Sequence, residues 1–153
     1  MSDKMETAEY PEVRRSAMNY LAAREHAFAE LKTKLIRRYP SSLVETVLTD
    51  LQQESLLSDE RYAEMLVRSR MQRGYGPVRL KMELAQKGIR DVLAETALSS
   101  VDDWYEQAVR VREKKFGTSF PVDQKEKARQ YRFMAQRGFT SDQISYAMSH
   151  CVE

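Results

Sequence analysis

The chain has 153 residues, of which 42% are hydrophobic and 31% charged, with a net charge of +2. That length suits one compact domain or a short run of small units, and the high charge favours thin helical layers over one thick core. Five glycines and four prolines disfavour a turn-rich β protein, and the lone Cys151 excludes an internal disulfide.

Residues 1–11 read as a loose N-terminal tail. A first helix is expected from about Glu12 to Leu21, and a second from about Glu25 to Arg38, with Ala27, Phe28, Leu31 and Leu35 on one face. Tyr39-Pro40 breaks the second helix by proline blockage, where later units use a glycine. Ser42 and Glu45 then read as a capping box that opens a third helix ending near Gln53. Ser58, followed by Asp59 and Glu60, opens the next helix. That helix carries the basic run Arg68, Arg70 and Arg73 up to the turn Gly74-Tyr75-Gly76-Pro77. Gly74 and Gly76 supply backbone angles that other residues resist, and Pro77 suits a first helical position. The helix after it is closed by Lys87-Gly88-Ile89, with Gly88 as a left-handed stop and Ile89 packing back. Further on, a helix from about Asp102 to Phe116 carries Trp104 and Ala108 on one face. A loop from Gly117 to Pro121 follows, then a helix from about Asp123 to Arg137. Thr140 and Gln143 form a capping box for the last helix.

A period of fifty residues joins these elements. Val44, Val47, Leu48 and Leu51 recur as Ala94, Ala97, Leu98 and Val101, then as Ile144, Ala147, Met148 and Cys151; Gly88 recurs as Gly138. Such a period marks a tandem helical repeat. The expected fold is all-α: three tandem three-helix repeats at 12–53, 54–100 and 101–153, stacked into an elongated, curved, right-handed-type helical array. Cys151, at the place of Leu51 and Val101, is expected to be a buried apolar thiol.

The strings LLSDERYAE, RSR, RGYGP and QKGI, in this order and at these spacings between Leu56 and Ile89, resemble the centre of the RecX family, bacterial regulators of the RecA recombinase. The resemblance implies three tandem three-helix units without catalytic activity of their own. It further implies binding along the groove of the RecA filament on single-stranded DNA. Inhibition of ATP hydrolysis, strand exchange and the coprotease function would follow, within DNA repair, homologous recombination and the SOS response. Single- and double-stranded DNA are further candidate ligands, and a monomer is expected.

The residues themselves offer no catalytic constellation. His26 and His150 are the only histidines; metal-ligand spacings are missing, and Gly74-Tyr75-Gly76-Pro77 lacks the Lys-Ser/Thr ending of a phosphate loop. No enzyme activity, metal or cofactor is expected. Charge is segregated instead: Arg61 to Arg90 holds eight basic residues against two acidic ones, while Ser41 to Glu60 holds five acidic and none basic. That pattern suits a polyanion or an acidic protein surface. The candidate contact residues are Arg68, Arg70, Arg73, Tyr75, Arg79, Lys81 and Lys87, then Arg110, Arg112, Lys114 and Lys115, then Arg129, Arg132 and Arg137. A bland reading stands beside this one: Arg70, Arg73, Arg79 and Lys81 cap carbonyls at a helix C-terminus and pair with nearby acids such as Glu83; Arg61, Glu64 and Arg68 pair along one helix; and Tyr75 packs the turn instead of stacking on a base. Met65, Met71, Met82, Met134 and Met148 suit an adaptable docking surface, but gap-filling in thin cores is the more economical account. A second function class is a nonspecific DNA-binding helical-repeat protein with helix-turn-helix-like units. The helix after Pro77 starts Val78-Arg79-Leu80-Lys81, which offers phosphate contacts but no base-reading edge. No run is long and apolar enough for a membrane span and the opening residues are unlike a signal peptide, so a cytoplasmic protein is expected.

Overall fold

The computed structural model describes residues 9–151. Among them are α1 (Tyr10–Ala23), α2 (Phe28–Leu35), α3 (Ser41–Gln53), α4 (Asp59–Gln72), α5 (Pro77–Gln86), α6 (Asp91–Leu98), α7 (Trp104–Phe116), α8 (Gln124–Gln136) and α9 (Ser141–Ala147), with no strand. Extensive helix-to-helix packing runs only inside the sequential triplets α1–α3, α4–α6 and α7–α9. The chain is an all-α helical repeat, a series of small cores in place of one large core.

Several helix ends differ from the sequence expectation, each for a local reason. Most of the expected N-terminal tail lies outside the described residues, but α1 already starts at Tyr10, because Pro11 is accommodated in a first turn where its missing amide hydrogen costs nothing. Helix α2 is shorter than expected at both ends. Ala27 is extended (φ −76°, ψ 150°), and the Phe28 amide donates to Asp59 Oδ1 at 2.8 Å. At its far end a turn without any left-handed residue leads to Tyr39, which is buried and bonds Ser16 Oγ through its hydroxyl at 2.8 Å. The Ser42–Glu45 capping box does not form. Pro40 (φ −60°, ψ 137°) is the residue that leads into α3, so Ser42 already lies inside the helix and Glu45 pairs with Lys32 at 2.6 Å. By contrast Ser58 Oγ accepts the Arg61 amide, and the Thr140–Gln143 capping box is complete.

The fifty-residue period describes the cores in its first three positions. Val44, Val47 and Leu48, then Ala94, Ala97 and Leu98, are all buried, as are Ile144 and Ala147, while Met148 is half-buried against the third core. The fourth position diverges. Leu51 is inside α3, but α6 and α9 end at Leu98 and Ala147, so Val101 is half-buried and Cys151 is exposed. The expectation of a buried thiol is therefore overturned. The glycine stops hold: Gly88 (φ +78°) and Gly138 (φ +95°) are left-handed, and Ile89 and Phe139 behind them are buried. Met134 is fully buried in the third core, whereas Met82 is exposed.

Two seams join the triplets. At the first, Ala27 is buried in the second core, Arg61 Nε pairs with Glu25 at 2.9 Å and Lys87 Nζ with Glu30 at 3.4 Å. At the second seam backbone meets backbone. The Gly76 amide donates to Arg137 O at 2.7 Å and the Val78 amide to Gly138 O at 2.8 Å. Gly76 is extended (φ −101°), so its need for glycine is steric: a Cβ there would lie 2.6 Å from the Gly138 carbonyl. Trp104 packs against both the second and third cores and donates Nε1–H to Leu98 O at 3.1 Å.

Candidate functional site

The second seam creates a basic cleft. Gln107 Nε2 donates to Met71 O at 2.9 Å and Arg137 to Arg73 O at 3.1 Å, so donors from the third triplet satisfy carbonyls at the end of α4. These bonds hold the C-terminal turn of α4 against α7 and α8. Between them lies a cleft of about 350 Å³. Arg73, Arg110, Lys114, Lys115 and Arg137 line it together with Met71, Val111 and Phe133, and no carboxylate does. Arg110 and Lys114 are four residues apart on α7 and so share a face. Arg73 and Lys114 make no ion pair among the described residues.

The other candidate residues are spread elsewhere. Arg70 and Arg79 both pair with Glu83, at 2.9 and 3.4 Å, as the bland reading has it. Tyr75 packs the turn: the guanidinium carbons of Arg79 and Arg137 lie 3.9 and 5.0 Å from its ring centroid. Lys81 pairs with Glu95 and Lys87 with Glu30, whose carboxyl is a buried group. Burial alone would raise Glu30, but Arg24 and Lys87 together with the Ala27 amide hold it at about 2. Arg129 bonds Glu126 through both Nε and an η nitrogen, and these bonds, with one from Gln130, hold Glu126 at about 2. Arg132 and Arg68 are exposed and make no ion pair among the described residues. The expected Arg61–Glu64–Arg68 ladder is absent, since Arg61 turns to Glu25 and to Ser55 O instead.

Arg112 is a correction. It is completely buried, donating Nε–H to Ala147 O at 2.7 Å and an η nitrogen to Ser119 O at 3.3 Å, and cannot face a partner. The signal was present in the sequence: Arg112 follows Ala108 by four residues, on the apolar face of α7. Phe133, Val111 and Gln107 are cleft residues that a search for basic runs passes over, because the charge pattern does not mark them. No group of His, Cys, Asp or Glu that could hold a metal ion occurs among the described residues, and no helix there is long and apolar enough to cross a membrane.

Fold and cleft define a tandem three-helix-repeat protein with a cationic seam. The family models for the second and third three-helix domains of RecX match residues 58–98 and 102–148. A regulatory protein RecX from Halorhodospira halophila is 45% identical over 137 residues, covering 88% of this chain and 85% of that protein. One from Pseudomonas fluorescens is 43% identical over 139 residues, covering 90% of each. The crystal structure of RecX from Lactobacillus salivarius superimposes with a TM-score of 0.78 at 25% identity, over 91% of this chain and 94% of that one. The chain belongs to the RecX family of regulatory proteins.

Proposed function

We propose that this protein binds the RecA–single-stranded DNA filament and lowers its ATPase, strand-exchange and coprotease activities, acting as a cytoplasmic monomer without catalysis of its own. Membership of the RecX family is the observation that carries this reading. The serial build supports it: three cores in a row offer a long surface for many modest contacts, and bridging adjacent filament subunits would hinder their relative motion. The cationic seam supplies the charge for an acidic filament surface or for bound DNA. The test is RecA's single-strand-dependent ATPase rate, titrated with this protein well below one molecule per RecA at two salt concentrations. A clear fall at substoichiometric amounts, weaker at high salt, is expected. An unchanged rate at equimolar protein, with filaments verified intact, would remove the regulator reading.

A second reading, nonspecific DNA binding by the repeat units, is favoured only by the absence of carboxylates in the cleft. At the start of α5, Arg79 is held by Glu83 and Tyr75 and Lys81 by Glu95, which leaves phosphate contacts elsewhere as its means. It predicts duplex and single-strand affinities that fall steeply with salt and ignore sequence.

A further inference from the structure

The cleft at the second seam has a composition that a purely electrostatic contact would not need. Its rim is cationic, but its floor is made by Met71, Val111 and Phe133. A volume of about 350 Å³ accommodates a large apolar side chain with flanking backbone. Among the described residues Arg73 and Lys114 make no ion pair, and the Arg110–Glu106 pair is exposed and easily exchanged.

Two classes of polyanion could answer such a rim. A nucleic-acid strand held without sequence preference needs open aromatic faces for its bases as well as cations for its phosphates. Those faces are occupied here. Phe133 has Arg137 at 4.9 Å, Lys115 at 5.4 Å and the edge-on ring of Phe116 at 5.3 Å, and Tyr75 carries Arg79 and Arg137. A phosphodiester backbone would also leave Met71 and Val111 facing hydrated charge. An acidic peptide with one apolar anchor satisfies both parts, since the anchor dries the floor while carboxylates meet the rim.

We infer that this cleft docks an acidic peptide segment of a protein partner. One aromatic or aliphatic side chain sits on Met71 and Val111, beside the already covered ring of Phe133, and flanking carboxylates pair with Arg73, Lys114 and Lys115. The partner's identity rests on the filament reading above; the ligand class does not.

The test is fluorescence anisotropy with three labelled probes and no RecA present. They are a decapeptide of Glu and Asp with a central Phe, the same peptide with Ser for Phe, and a thymidine oligonucleotide of equal length. The Phe peptide should bind about tenfold more tightly than the Ser peptide. The exposed pair Lys114→Glu with Lys115→Glu should weaken it about tenfold, whereas Lys125→Glu with Lys127→Glu, the same charge change at the exposed start of α8, should leave it within about twofold. Circular dichroism checks that helicity is retained; if the Glu pair unfolds, Lys114→Gln with Lys115→Gln must show the same loss. Equal binding of the two peptides, equal loss in both charge pairs, or an oligonucleotide that binds tighter than the Phe peptide and is weakened by the cleft pair would each overturn the assignment. Peptide binding as expected together with an unchanged RecA ATPase would remove the filament reading alone. Inhibition of RecA by a protein that fails to bind the Phe peptide would remove the cleft assignment alone.

Discussion

Arg112 ties three segments of the third triplet together by holding the last carbonyl of α9 and Ser119 O from within α7. One of its η nitrogens is buried without a partner, and the ring of Phe120 lies 5.1 Å from its guanidinium carbon. A buried cation that makes no ion pair among the described residues is costly, yet deleting it strands two carbonyls and opens a cavity. Arg112→Ala should therefore destabilise the protein by about 2–4 kcal/mol. Arg112→Met, which refills the volume without the charge, should cost clearly less; urea unfolding of the two variants checks the order, and a Met variant as weak as Ala would contradict it. Two residues at the first seam set the response to acid. His26 is buried; its Nδ1 lies 3.0 Å from Arg24 O and its Nε2 3.1 Å from Lys34 Nζ, which requires the neutral Nδ1–H form. Burial lowers its pKa, so below about 6.5 the unfolded chain takes up a proton before the folded one and stability falls. Glu30 is depressed to about 2, so its contribution is present above the unfolded value of about 4.3 and is lost as pH falls through about 2. The urea midpoint should thus decline in two stages on acidification. His26→Asn should flatten the upper stage and Glu30→Gln the lower, and a single stage unaffected by either would count against both assignments.

At the level of elements, the turn before α5 and the glycine stop after α8 form one joint. Gly76→Ala places a methyl group against the Gly138 carbonyl and forces apart the two backbone hydrogen bonds between these segments. The loss should be about 1–3 kcal/mol, located at the seam and not in any core. Because each triplet has its own core, helicity by circular dichroism should be retained. The fluorescence of Trp104, which packs against two cores, should then change at lower urea than the helical signal does; coincident transitions in Gly76→Ala would show the seam to be less important than described. The sequence made parts of this joint legible and concealed others. Gly88 and Gly138 could be read because a left-handed stop with an apolar residue behind it is a local pattern. Gly76 is legible as a turn glycine, but the steric reason for it is not, since its partner lies on an element more than sixty residues away. Ser42 misled because Pro40 set the start of α3 by its own backbone angle. The cleft followed the same rule: its cations were visible as runs, but their convergence on Phe133 depends on a seam that no single helix encodes. For Arg112 the place in the apolar period of α7 decides, and not the charge.

Across the whole molecule stability is unevenly spread. Among the described residues the first and second cores contain ten and eleven buried members, the third only six. Helix α9 has seven residues and α8 buries only Gln130 and Met134, with the Gln130 carbonyl oxygen unpaired. Helices this short do not persist without tertiary support, and in a repeat protein support comes only from neighbours in the row. The third triplet has one neighbour, reached through Trp104 and the Gly76–Arg137 joint, so its outer parts should open without the rest. Hydrogen exchange should show amides in 124–133 exchanging about tenfold or more faster than those of α4, which sits in the largest core. The last turn of α8 should be slower than the rest of that helix, because Arg137 and Gly138 are held by the turn before α5. Addition of an acidic anchor peptide should then slow exchange along α7 and the end of α8, where Lys114, Lys115 and Phe133 line the cleft, and leave α1–α3 unchanged. Uniform exchange over the nine described helices would contradict the serial build, since it would require the three cores to open as one.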